Sequence, residues 1–131
     1  MTLQIPVSWG ELSDKMSILR IKMEKITDQS KLINIDHELT LLEQCRAKAE
    51  ESDQLLQYER ELKQVNQKLW EIEDDIRICE KNADFGLQFI ELARAVYKTN
   101  DKRAGLKYKI NMLLGSEIIE EKSYEDYSRD E

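Results

Sequence analysis

The chain has 131 residues, a formal net charge of −7 and 36% charged residues, with only four glycines and one proline. That size allows one domain with a modest core. The acidic balance excludes a general nucleic-acid binder, which needs a basic face to displace counterions, and no stretch reaches the ~20 apolar residues of a membrane helix.

The charge is unevenly spread. Residues 116–131 hold seven acids (Glu117, Glu120, Glu121, Glu125, Asp126, Asp130, Glu131) against Lys122 and Arg129, so the tail carries −5 and the body −2. Cys45 and Cys79 form no CxxC pair and read as buried or half-buried free thiols of a reducing compartment. The first residues lack the basic and apolar regions of a secretory signal. A soluble, cytoplasmic protein is expected, with one helical domain over residues 1–115 and an acidic tail over 116–131.

Residues 2–7, with Pro6 inside them, read as a short extended arm; such an arm also offers an edge for pairing with a second chain. Ser8 and Glu11 fit a capping box opening a first helix, on which Leu12, Met16, Leu19, Met23 and Ile26 make an apolar stripe. Residues 27–30 read as a turn and a new cap. A second helix follows with Leu32, Ile35, Leu39, Leu42 and Ala49 on one side, interrupted by Arg46. His37, the one histidine, points away from that stripe and reads as a surface residue. Ser52 or Asp53 caps a third helix, unless the second runs straight through.

The third helix has the strongest pattern. Leu55, Tyr58, Leu62, Val65, Leu69, Ile72, Ile76 and Cys79 alternate steps of three and four, the mark of a coiled-coil-like seam. A helix of about 28 such residues is roughly 42 Å long. Asp84 reads as the cap of a fourth helix, which carries Phe89, Ala93, Val96, Tyr97, Ala104, Ile110, Leu113 and Leu114 and stops at Gly115. The fold class is therefore all-α: an elongated antiparallel bundle of about four helices around a long heptad-patterned one.

Two polar clusters stand out. On the third helix, Trp70, Glu73, Asp74 and Arg77 share a face beside the seam. A tryptophan there implies a second helix contact, and carboxylates beside it then need a cation, a donor or a metal. On the fourth, Arg94, Tyr97, Asn100, Asp101 and Arg103, with Lys107 and Asn111 beyond, run through the apolar stripe. Either the helix breaks at Thr99–Asp101 with Asp101 as a cap, or these groups line a polar site. Glu73 and Asp74 are charge partners for Arg94, Arg103 or Lys107. The same set describes an anion, sugar or nucleotide pocket walled by Trp70 and Tyr97.

No zinc-ligand spacing, phosphate loop or nucleophile elbow is present, and no cofactor or metal is implied. An all-α magnesium-dependent nucleotide pyrophosphohydrolase places EExxE before ExxD. Glu71 and Asp74 fit the second half, but Glu50-Glu51 is followed by Gln54 in place of the third acid.

The blocks Ile5-Pro6-Val7-Ser8-x-Gly10-Glu11-Leu12-x-Asp14-Lys15, Leu69-Trp70-x-Ile72-Glu73-Asp74-x-Ile76-Arg77, Glu91-Leu92-Ala93-Arg94-x-Val96-Tyr97-x-Thr99-Asn100-Asp101-x-Arg103-Ala104, Ile110-Asn111-x-Leu113-x-Gly115-Ser116-Glu117 and Glu121-Lys122-Ser123-Tyr124 together resemble an uncharacterised bacterial all-helical family of unknown function. That family is loosely associated with surface-polysaccharide gene neighbourhoods. The resemblance implies no activity, but it directs attention to the two polar clusters and implies that Glu121–Tyr124 docks on the body. The leading expectation is a non-enzymatic module that forms a homodimer or binds a protein partner. The alternative is a small-ligand binding protein or metal-dependent hydrolase built on the two clusters, which must then converge in one concave site.

Overall fold

The structure, a computed structural model, describes residues 1–129. It contains four helices: α1 Trp9–Lys25, α2 Gln29–Arg46, α3 Asp53–Lys81 and α4 Leu87–Leu114. Among the described residues there is no strand, and residues 2–7 are extended and exposed. The last two acids of the tail, Asp130 and Glu131, lie outside the described residues.

Each helix start follows its local chemistry. Ser8 caps α1 by accepting from the Glu11 amide, Asp28 caps α2 by accepting from Ser30 and Lys31, and Ser52 caps α3 by accepting from Leu55. The capping box at Ser8 is only half made, because the Glu11 carboxylate turns to Lys107 instead. Asp84 does not cap α4. Gly86 holds that position without a side-chain bond, and the Asp84 carboxylate accepts from the Gly86 amide. α4 runs unbroken through Thr99, Asn100 and Asp101, so Asp101 is not a cap. The helix has no Gly or Pro there to break it, and its later polar residues Arg103, Lys107 and Asn111 find partners on α1.

The architecture differs from a bundle centred on the long helix. α1 packs on all three others, α3 pairs with α4, and the backbone of α2 packs on α1 alone. The side of α1 carrying Leu12, Met16 and Leu19 joins Ile35 and Leu39 of α2 in one apolar cluster. A second cluster lies between α3 and α4, from Leu55, Leu62, Leu106 and Ile110. Trp9 packs against both. The α3 stripe is buried or half-buried along its length.

The other side of α1 carries Gly10, Asp14, Ser17 and Ile21, all buried, at steps of four, three and four. These small and polar residues let α1 lie close to the α3–α4 hairpin. Arg46, an apparent interruption of α2, is buried and grips Glu59 of α3 through Nε and Nη2, and Glu51 through Nη1. Its pKa is pushed upward, first by the bond to Glu59. The two thiols differ: Cys79 is buried as expected, whereas Cys45 is exposed.

A Cβ built on Gly10 lies 2.4 Å from the Lys107 carbonyl oxygen, so only glycine permits this approach, whereas a Cβ on Gly105 meets nothing within 4 Å. Gly10→Ala is expected to cost about 1–3 kcal/mol by overpacking against backbone. Gly105→Ala, inside the same α4, is expected to add about 0.5–1 kcal/mol. Urea unfolding of the two variants beside the parent checks both signs.

Candidate functional site

The site grows from one buried carboxylate. Asp14 is 1% exposed. Arg103 of α4 meets it in a two-point ion pair, with Nε 2.9 Å from Oδ1 and Nη2 on Oδ2. The Asn66 amide of α3 donates to Oδ1 at 2.8 Å and to Ser17 Oγ at 2.7 Å. Ser17 Oγ in turn donates to the Asp14 carbonyl at 2.8 Å. The bond to Asp14 holds the Arg103 guanidinium above its ordinary pKa, against the opposing effect of burial. A planar guanidinium matches a carboxylate at two points, and a lysine would lose that match.

One turn further along α4, Lys107 Nζ donates to Glu11 Oε2 at 2.7 Å and sits 3.8 Å from Asp14 and 3.5 Å from Glu120 of the tail. Burial alone would lower its pKa. The bond to Glu11 and the field of Asp14, Glu11 and Glu120 outweigh that and raise it.

The end of α4 then caps the start of α1. Asn111 Oδ1 accepts from the Gly10 amide at 2.7 Å, and Ser116 Oγ from the Trp9 amide at 3.3 Å. With Ser8 on Glu11, side chains satisfy three of the four free N–H groups at this helix start. Ser116 reaches that place because Gly115 takes a left-handed φ of 63°, with Ser116 N–H on the Asn111 carbonyl and Gly115 N–H on that of Met112.

Beyond Ser116 the tail lies along α4. The Tyr127 ring is 5.1 Å from that of Tyr97. The Asp101 carboxylate beside the Tyr127 hydroxyl holds the phenol above its ordinary pKa. Between α4 and the tail is a cleft of about 810 Å³, lined on one side by Tyr97, Asn100, Asp101, Arg103 and Lys107 and on the other by Lys122, Tyr124, Glu125 and Tyr127. A second hollow of about 370 Å³ adjoins it, between α1, α3 and α4, with Trp70, Glu73, Asp74, Asn100 and Arg103 on its walls. Val96, Asn100 and Arg103 line both.

Of the nine residues picked from sequence, Trp70, Glu73, Asp74, Tyr97, Asn100, Asp101 and Arg103 therefore gather around these two hollows. Arg77 and Arg94 line neither. Arg77 is exposed and bonds Glu73 of its own helix at 2.9 Å, and Arg94 is exposed. The expected ion pairs across α3 and α4 are not made. Glu73 is taken by Arg77, Arg103 by Asp14, and Lys107 by Glu11. The reason is burial: Glu73 and Asp74 are exposed, whereas Asp14 is sealed and has the stronger need for a cation. Sequence reasoning placed Asn111 beyond the α4 cluster but missed Asp14, Ser17 and Asn66 as members of the site. The signal was the small and polar stripe from Gly10 to Ile21, hidden beside a cleaner apolar one. Among the described residues no three His, Cys, Asp or Glu side chains are gathered as a metal set.

Fold and site together define a small all-α protein with an internal ion-pair layer and an open polar cleft against its C-terminal helix. The chain belongs to a family of unknown function, DUF6165, which matches residues 3–128. No curated protein and no solved structure matches the chain. No helix among the described residues is long and apolar enough to cross a membrane.

Asp14→Ala is expected to destabilise the fold by about 3–5 kcal/mol, because it strands a partly buried guanidinium and the Asn66 amide. Glu73→Ala, which removes an exposed pair, should cost no more than about 1 kcal/mol. Denaturant titration separates the two. The raised pKa of Lys107 predicts a pH dependence. A cation favoured in the folded state contributes stability that is complete below the unfolded lysine value, about 10.4, and is lost as pH rises through the higher folded value. Thermal melts from neutral pH into the alkaline range should fall there, and Lys107→Met should flatten the part of the fall that belongs to this residue.

Proposed function

We propose that this is a cytoplasmic, non-enzymatic binding protein for a small polar ligand bearing a ring, a sugar or a nucleoside, held in the cleft between α4 and the tail. One observation carries the reading: the polar clusters of α3 and α4 meet at Asn100 and Arg103, on the shared wall of two adjoining hollows. A binding site needs its polar groups convergent and held, and Arg103 is held by a carboxylate that is itself sealed.

The charge balance narrows the ligand. Arg103 and Lys107 already have carboxylate partners, and Asp101 and Glu125 stand on the same cleft. A bare anion gains little there. Donors and acceptors of both signs beside the rings of Tyr97, Tyr124 and Tyr127 suit hydroxyls on a flat or puckered ring. The surface-polysaccharide association of the resembled bacterial family favours the sugar of the two. The elevated pKa of Lys107 keeps it a hydrogen-bonding cation, unsuited to abstracting a proton.

A thermal-shift screen with monosaccharides, nucleosides, nucleotide sugars and inorganic phosphate tests this. A ring-bearing polar ligand is expected to raise the melting temperature; at 100 times its dissociation constant it adds about 2.7 kcal/mol. Asn100→Ala and Tyr97→Ala should each weaken binding by about tenfold, as should truncation after Gly115. Equal shifts with phosphate alone, or unchanged affinity in Asn100→Ala, would sink the reading.

A further inference from the structure

The outer half of the α3–α4 hairpin has no third layer. Between Glu73 and Lys98, Cys79 alone is buried. The cause is length. α1 has 17 residues and α3 has 29, about 25 Å against about 43 Å. The hydrogen bonds of α1 reach α3 no further along than Asn66 and α4 no earlier than Arg103, and the backbone of α2 packs on α1 alone. Ile18 of α1 still shares a hollow with Glu73, Asp74 and Val96; past those residues two helices stand by themselves.

Two helices bury only the seam between them. Ile76, Phe89 and Val96 remain half-buried, while Ile78, Phe85, Leu87 and Ile90 are 55, 54, 71 and 51% exposed. Phe85 stands edge-on to Phe89 at 5.4 Å at the tip.

We infer that a second copy of this chain covers the arm, the two hairpins packing across a two-fold axis as a four-helix bundle. This goes beyond the ligand reading and does not depend on it. The exposed area is large enough to accommodate a partner of this size. The chain exposes 9666 Å², whereas a compact monomer of its mass exposes about 7,200 Å². The first residues and the described part of the tail, which have no regular secondary structure, supply part of that excess, and the exposed apolar side chains of the arm add to it. A stable dimer takes about 800 Å² from each copy. The arm also suits self-pairing. Its seam continues the α3 stripe, and its flanks carry both signs, six acids and four bases between Glu73 and Lys98, so two identical faces meet without uniform repulsion.

Light scattering behind a sizing column tests it on the full chain. The parent is expected to run at twice the 15.5 kDa chain mass, and the double variant Leu87→Glu with Ile90→Glu at once that mass with an unchanged helical spectrum. Ile33→Glu on α2 should leave the dimer intact. A spin label on Leu87→Cys, in a Cys45→Ser background, gives a second readout free of any charge insertion: a short distance between copies is expected. A parent that is monomeric at high micromolar concentration overturns the inference. So does a dimer lost with Ile33→Glu but kept with the double variant, or the absence of any dipolar coupling between Leu87 labels.

Discussion

A carboxylate sealed to 1% exposure must have its lone pairs met, and Asp14 has them met by side chains from two helices distant in sequence. Removing a charge from water is costly unless it is paired with good geometry. Arg103 supplies the charge and the two-point fit, and Asn66 a further donor. The arrangement stands only if α1, α3 and α4 are all in place. It therefore sets their relative positions more sharply than the apolar clusters do, since those tolerate sliding. α2 is then placed secondarily, by the apolar side of α1 and by the Arg46–Glu59 pair.

The same interaction prepares the cleft. Arg103 reaches Asp14 from the wall shared by both hollows, so its guanidinium is held in one orientation there. The layer extends through Lys107 to Glu11 and Glu120, then through Asn111 and Ser116 to the free amides of α1. The tail thus leaves the body at a defined place, from a left-handed Gly115, and runs back along α4 to Tyr97 and Asp101. It supplies half of the cleft wall while its own residues stay largely exposed. A wall of that kind is cheap to move, which suits an entry route.

The two ends of the hairpin have different surroundings. Near α1 it is packed on several sides and holds the buried polar layer. Farther out it is a bare pair of helices with large apolar residues in water. Ligand and partner, as proposed, would use adjoining stretches of one long hairpin, with Glu73, Asp74, Val96 and Tyr97 at the boundary.

Local physics made much of the fold legible. Ser8 read correctly as a cap, Ser52 as one of two candidates, Gly115 as a stop and the α3 stripe as a buried side, because each depends on residues within a few turns. The clusters around Trp70 and Asn100 were visible as polar groups beside apolar stripes, although Glu73, Asp74 and Asp101 lie exposed. Their partners were not. Asp14 and Arg103 are 89 residues apart, and no local pattern says which of several cations a carboxylate will meet. Glu73 and Asp74 looked the better candidates because they sit beside a tryptophan. Burial decided otherwise, and burial is a property of how α1 lies across the hairpin. Local pattern was enough for about four helices, most of their apolar stripes and several of their ends. That α1 touches all three other helices, that α4 runs unbroken through Asn100 and that Arg103 answers to Asp14 came from packing, because electrostatic pairing follows distance and desolvation in space.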